Sequence, residues 1–166
     1  MSASLDLLGG KGRSLGRLAS AGFPVPDGFH VTSEAYTTFV AANDMQQRVL
    51  ELATPTVVNS RLSFDDAAAA ISALMTQGDI PDDVAASIAS AYGELTVRAV
   101  AVRSSATAED LPDLSFAGQQ DTFLNVEGVQ PVLDAVKQCW ISLWNPRALS
   151  YRHQMGIEHD QIAMAV

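Results

Sequence analysis

The sequence predicts a fold of the α+β (α/β mixed) class, helix-rich with a small sheet. Two sets of observations carry that expectation. Residues 33–95 read as helix, and Val129, Val132, Leu133, Val136, Trp140 and Trp144 recur at the spacing of a strongly amphipathic helix. Between them, the apolar run Ala99–Val102 suits a buried strand, and Asp121 to Val126 reads as a second strand with apolar residues in alternation.

Taken in order, Leu7 to Gly22 sets a glycine-rich loop ahead of a short helix. Leu15, Leu18 and Ala19 form its apolar face, and Gly22 is placed to end it. Residues 23–28 form a rigid, extended link, because Pro24 and Pro26 exclude helix there. Phe29 to Val31 reads as a short strand. Thr32 or Ser33 caps the next helix, with Glu34 well placed in its first turn. Ser63-Phe64-Asp65-Asp66 has capping-box spacing ahead of the run Ala67 to Met75. Pro81 opens a further helix on which Val84, Ile88, Tyr92 and Leu95 are in phase. None of this stretch gathers reactive side chains, so it reads as support. The polar segment Arg103 to Gln120, with Pro112 and Gly118, has a length that is usually functional. The amphipathic helix stops near Asn145-Pro146, and another runs from Arg147 to Met155. Residues 161–166 look like a strand only begun, its edge an aggregation liability if unpaired.

The chain has 166 residues, enough for one domain or one large subdomain of something bigger. Ten Lys plus Arg against nineteen Asp plus Glu give a net charge of −9. That balance argues against nucleic acid as the main partner and against an anionic membrane surface. No window approaches the apolar length of a transmembrane helix, and the opening Met1-Ser2-Ala3-Ser4 does not resemble a signal peptide. The single cysteine, Cys139, lies beside Trp140 in a helical pattern and reads as a buried, inert thiol. A reducing, cytoplasmic setting is expected by elimination.

Chemistry concentrates in two segments far apart in sequence. The first surrounds Lys11, one of only two lysines: Leu8-Gly-Gly-Lys-Gly-Arg-Ser-Leu-Gly16. Glycines let the backbone approach phosphate closely while an ammonium neutralises charge. The spacing matches neither the P-loop nor the dinucleotide pattern, so on its own it reads as a turn and a helix start. The second begins at Arg103, at the end of the predicted strand, followed by the hydroxyls of Ser104, Ser105 and Thr107. Its guanidinium fork suits paired phosphate oxygens, with those hydroxyls as further donors. It could equally pair with Glu109 or Asp110 and brace the loop, and the residues alone leave both open. His153, Glu158 and His159 look like a solvated helix end rather than a metal site.

The segment Val102-Arg-Ser-Ser-Ala-Thr-Ala-Glu-Asp-Leu-Pro-Asp-Leu-Ser-Phe-Ala-Gly-Gln-Gln-Asp-Thr-Phe-Leu-Asn-Val126 is very similar to the signature of one ATP-binding domain. That domain is shared by phosphoenolpyruvate synthase, pyruvate phosphate dikinase and rifampicin phosphotransferase. Residues 9–16 resemble the family's opening motif, and Val25-Pro-Asp-Gly-Phe29 resembles the link after it. Cys139-Trp-Ile-Ser-Leu-Trp-Asn-Pro-Arg-Ala148, with Tyr151 and Arg152, resembles the helices that follow. Residues 44–96 are the least diagnostic.

The resemblance implies the N-terminal part of an ATP-grasp-like domain spanning residues 1–166, with ATP and Mg2+ as ligands. In the family the β-phosphoryl group of ATP passes to a histidine on a swivelling domain and then to an acceptor. In the synthase and the antibiotic kinase, ATP ends as AMP and phosphate. Carried over by motif, Lys11, Arg103, Gly118 and Thr122 are the nucleotide contacts, while Asp121 is structural. The adenine hinge, the acidic metal ligands, the phosphocarrier histidine and the acceptor domain are expected beyond Val166. His30 does not resemble the phosphocarrier motif. A chain of this extent is expected to bind nucleotide weakly and not to turn it over. The alternatives are the corresponding part of a rifampicin phosphotransferase, or a stand-alone, non-catalytic binding module.

Overall fold

A computed structural model describes residues 5–106 and 121–166. Seven helices and six short strands alternate in the described chain: α1 (Leu5–Ser20), α2 (Ser33–Ala42), α3 (Gln46–Leu52), β1 (Thr56–Val58), β2 (Arg61–Ser63), α4 (Asp65–Gln77), α5 (Asp82–Glu94), β3 (Ala99–Arg103), β4 (Ser105–Ala106), β5 (Thr122–Glu127), α6 (Val129–Ser142), α7 (Pro146–Met155) and β6 (Met164–Ala165). The strands pair antiparallel in twos, β1 with β2, β3 with β5 and β4 with β6, so the mixed α+β class holds.

The core is organised by α6. Its Val132, Val136, Cys139 and Trp140 are buried, and it packs against β3 and β5 on one side and α4 and α5 on another. Trp140 is fully buried, 5.1 Å from Phe39 and edge-on to Tyr36 at 6.3 Å. The Trp144 indole donates to the Tyr36 hydroxyl at 3.0 Å. Burial pushes that phenol up to about 12. Lys137 leaves the same helix to donate to the carbonyls of Gly78 at 2.8 Å and Thr76 at 3.3 Å, closing the last turn of α4.

At the end of α7, Arg152 is fully buried, donating to the Leu143 carbonyl at 2.7 Å and to His159 Nδ1 at 3.1 Å. Its guanidinium carbon lies 5.1 Å from the Trp144 ring centroid, a cation–π arrangement. Burial lowers Arg152 to about 10. His159 falls to about 4, first through burial and then through the charge of Arg152. Of the three residues at the end of α7, His153 and Glu158 are exposed as expected, while His159 is half-buried and accepts from Arg152 as a neutral imidazole. Among the described residues no group of three or more His, Cys, Asp or Glu is placed to hold a metal ion, and no helix is long and apolar enough to cross a membrane.

Two helix ends follow the sequence signals, whereas Thr32 stands at the N-cap of α2 without a side-chain cap bond. Gly22 takes φ 80, with its N–H on the Ala19 carbonyl and the Phe23 N–H on Leu18, a Schellman stop. Asn145 caps α7 by accepting from the Ala148 N–H at 2.8 Å, with Pro146 in the first turn. At α4 the expected box does not close. Ser63 Oγ accepts from the Asp65 N–H and donates to the Asp65 carboxylate, while Asp66 takes the Thr56 hydroxyl. Phe64 rather than Ser63 therefore holds the N-cap position of α4.

Four further expectations change. Residues 56–63 are a hairpin rather than helix, turned by Asn59 and Ser60 at φ 50 and 61. Leu15 and Leu18 of α1 are exposed, so the apolar face assigned to that helix is not buried by the described residues. Strand β3 is half-buried: Val100 and Val102 turn inward while Ala99, Ala101 and Arg103 face outward. Finally, β6 is paired, and the residue after it is bonded as well. The strand bonds to β4, and Val166 exchanges both backbone hydrogen bonds with Val31, at 2.7 and 2.8 Å. That exchange is all that corresponds to the strand expected at residues 29–31.

Two outcomes follow for stability. Trp140→Ala is expected to lower unfolding free energy by about 3–5 kcal/mol in denaturant titration, through the cavity left against Phe39. His159 has its ordinary value of 6.5 in the unfolded chain and about 4 in the folded one, so between those values the unfolded state binds more protons. Its contribution is complete above pH 6.5 and is lost as pH falls toward 4. Melting temperature measured across that window should fall on acidification, and less so in His159→Gln.

Candidate functional site

Strand β3 ends at Arg103, and the chain resumes at Ser105 as β4 with a different partner. Ser104 sits at this change of partner, nearly fully buried. Its N–H and hydroxyl both donate to the Asp121 carbonyl, at 3.4 and 3.0 Å. Arg103 stands directly across from Thr122 in the β3–β5 register. Both residues are exposed on the outward face of that pair.

A bulge sets this register. Val100 opposes Val126 and Val102 opposes Phe123, so one residue on β3 faces two on β5, with Asn125 at φ 55. Phe123 and Val126 both turn inward although three residues apart, where strict alternation had been expected. The extra residue brings Thr122 to the same face as Arg103.

Helix α1 supplies the second half of the site. Its chain is helical on both sides of Gly9, where φ 63 and ψ −179 interrupt it. The glycine-rich segment is therefore a broken helix and not a loop. Tertiary contact overrides the weak helix propensity of glycine here. The Lys11 ammonium donates to the Ser104 carbonyl at 2.9 Å. The Lys11 and Gly12 amides donate to Ser105 Oγ at 3.1 and 3.4 Å, and that hydroxyl donates to the Leu8 carbonyl at 2.9 Å. Lys11 thus reaches the carbonyl of Ser104, the residue after Arg103, and Arg103 stands opposite Thr122. Gly118, Thr107, Glu109 and Asp110 lie outside the described residues.

Ser104 and Ser105 differ from their expected role. Both are buried and their hydroxyls are engaged inside the protein, so they brace the edge rather than present donors at it. Cys139 lies beneath. Burial, then the charge of Asp121, pushes its thiol up to about 12, with Lys11 opposing, so the inert reading of this cysteine stands. His30 is exposed with its ring against Gly12, where a β-carbon would lie 3.2 Å from it. The importance of Gly9 and Ser105 as a contact pair was not anticipated. A glycine ahead of a helical start was the available signal, but nothing in the sequence named its partner.

Lys11, Arg103 and Thr122 supply an ammonium, a guanidinium and a hydroxyl on a chain of net charge −9, groups of the kind that suit phosphate oxygens. Residues 5–166 match the family model described as pyruvate phosphate dikinase, AMP/ATP-binding domain, and the chain belongs to that family. Among curated relatives, it is 43% identical over 168 residues to a probable phosphoenolpyruvate synthase of Methanothermobacter thermautotrophicus, covering 98% of this chain and 25% of the relative. A probable phosphoenolpyruvate synthase of Methanocaldococcus jannaschii is 42% identical over 167 residues, 97% of this chain and 14% of the relative. The rifampicin phosphotransferase of Bacillus subtilis is 43% identical over 166 residues, 98% of this chain and 19% of the relative. The chain therefore spans a quarter or less of the length of these three proteins.

The junction yields a direct test. At φ 63 and ψ −179 Gly9 occupies backbone space essentially restricted to glycine, and an added β-carbon would lie 2.7 Å from the Ser105 carbonyl carbon. Gly9→Ala is expected to cost about 3 kcal/mol or more in denaturant titration, whereas Gly16→Ala, with open space around its Cα, should be neutral or stabilising.

Proposed function

We propose that this chain binds ATP along the edge built by Lys11, Arg103 and Thr122, with Gly118 completing the contact, as part of a larger dikinase-type phosphotransferase. The observation that carries this reading is the meeting of two distant segments. The Lys11 ammonium reaches the carbonyl of Ser104, the residue after Arg103, across 93 positions of sequence. Arg103 in turn stands opposite Thr122. Two cations at one junction would oppose the charge that ATP phosphates bring, most strongly as it redistributes during phosphoryl transfer. The Thr122 hydroxyl is a further donor on the same face.

The reaction proposed for the whole protein is of the phosphoenolpyruvate synthase type, with ATP, pyruvate and water giving phosphoenolpyruvate, AMP and phosphate. A phosphohistidine domain and an acceptor domain are its proposed partners, supported by relatives four or more times longer than this chain. On this reading residues 1–166 are the N-terminal part of the nucleotide domain and do not turn over ATP alone. The setting proposed is cytoplasmic. Mg2+ is proposed to accompany the nucleotide, but the described residues offer this edge cations and hydroxyls rather than a carboxylate cluster, so no step is assigned through the metal. A rifamycin-type acceptor is the second reading, because the antibiotic phosphotransferase matches at 43%, as the first synthase does.

Calorimetric titration of the intact protein with a non-hydrolysable ATP analogue tests the site. Arg103→Ala and Lys11→Ala should each weaken binding about 10–100-fold, and Thr122→Ala about 2–5-fold. Unchanged affinity in both cation variants would overturn the assignment.

A further inference from the structure

In an isolated helix that starts at Gly9, the residue before the first turn would supply the capping oxygen. An N-cap side chain accepts from the second and third amides of the helix, satisfying donors the helix itself leaves open. Gly9 holds that non-helical position and has no side chain. Ser105 supplies the missing oxygen from another element: its Oγ accepts from the amides of Lys11 and Gly12, 94 and 93 residues away. The same hydroxyl donates its proton to the Leu8 carbonyl at 2.9 Å, on the far side of the break. One side chain therefore fixes both sides of the kink and the backbone of Lys11.

Ser105 opens β4, two residues after Arg103 ends β3, with only Ser104 between them. A β-carbon on Gly9 would fall inside the contact distance of the Ser105 hydroxyl and carbonyl oxygens, which is why the two backbones meet so closely. We infer that Ser105 is a positioning residue for nucleotide binding, capping the Lys11 turn across the fold and thereby fixing the Lys11 ammonium relative to the Arg103 guanidinium. It does not touch the nucleotide itself, since its hydroxyl is buried and fully engaged. This inference rests on the reading of Lys11 and Arg103 as phosphate contacts.

The test is a double-mutant cycle on the intact protein, titrated with the non-hydrolysable ATP analogue. Ser105→Ala should weaken binding about tenfold while Lys11 and Arg103 are both intact. In a Lys11→Met background it should have little further effect, because the group it positions is gone. Against Arg103→Met its effect should persist. Ser105→Cys fills the same space with a weakly bonding thiol and should show the same pattern, which keeps the test decisive if Ser105→Ala unfolds. Additive losses for Ser105→Ala and Lys11→Met would make Ser105 a purely structural brace and overturn the inference. Wild-type affinity in both Ser105 variants, with weak binding by Lys11→Met and Arg103→Met, would overturn it while leaving the nucleotide site standing. Wild-type affinity in Lys11→Met and Arg103→Met would overturn both together.

Discussion

Between the backbone of Gly9 and Ser105 there is no room for a β-carbon, and much of the candidate site follows from that contact. It breaks α1 at a position where only glycine is unstrained, and it presents the second and third amides after the break to the Ser105 hydroxyl. It also sets the Lys11 ammonium on the carbonyl of Ser104, the residue at which the strand changes partner. A slightly wider approach would leave buried amides without acceptors, which costs more than the bonds themselves return. Glycine at one position and a hydroxyl at the other are therefore a single requirement, spread over two segments.

Beneath that contact, α6 gives the edge its rigidity. Its buried face supports β3 and β5 from inside, so Arg103 and Thr122 can face outward from a pair whose inner side chains are packed. The two lysines divide the labour. Lys137 closes the C-terminal turn of α4, where a cation offsets the helix dipole, and Lys11 stands at the junction. With so few cations in an acidic chain, the location of each one is informative.

How much of this was legible beforehand varies with the physical origin of each feature. Local signals were legible: the Gly22 stop, the Asn145-Pro146 start and the apolar face of α6 all depend on neighbours within a turn or two. The hairpin at residues 56–63 was missed because Asn59-Ser60 is a weaker turn signal than Asn-Gly, and because Val57, Val58 and Leu62 are exposed rather than alternating toward a core. The bulge at Asn125 was missed for a related reason: Leu124 and Val126 imitate strand alternation, whereas the inward pair is Phe123 and Val126. Lys11, Arg103 and Thr122 could be named by motif, but the bond from Lys11 to the Ser104 carbonyl and the register of Arg103 with Thr122 could not. Nor could sequence reveal that Ser104 and Ser105 turn inward, since a serine beside a cation reads as a ligand donor until its burial is known.

The two halves of the edge also differ in the span of chain each must close. The Arg103 half is tied through Ser104 to Asp121 over 17 residues, whereas the Lys11 half closes over 93. Loop-closure entropy rises with span, so contacts of short range form ahead of those of long range. During folding, β3 and β5 can therefore find each other before α1 has a place to dock. The bond from Lys11 to the Ser104 carbonyl is then among the last contacts to form, so the junction of the two segments exists only in the finished fold.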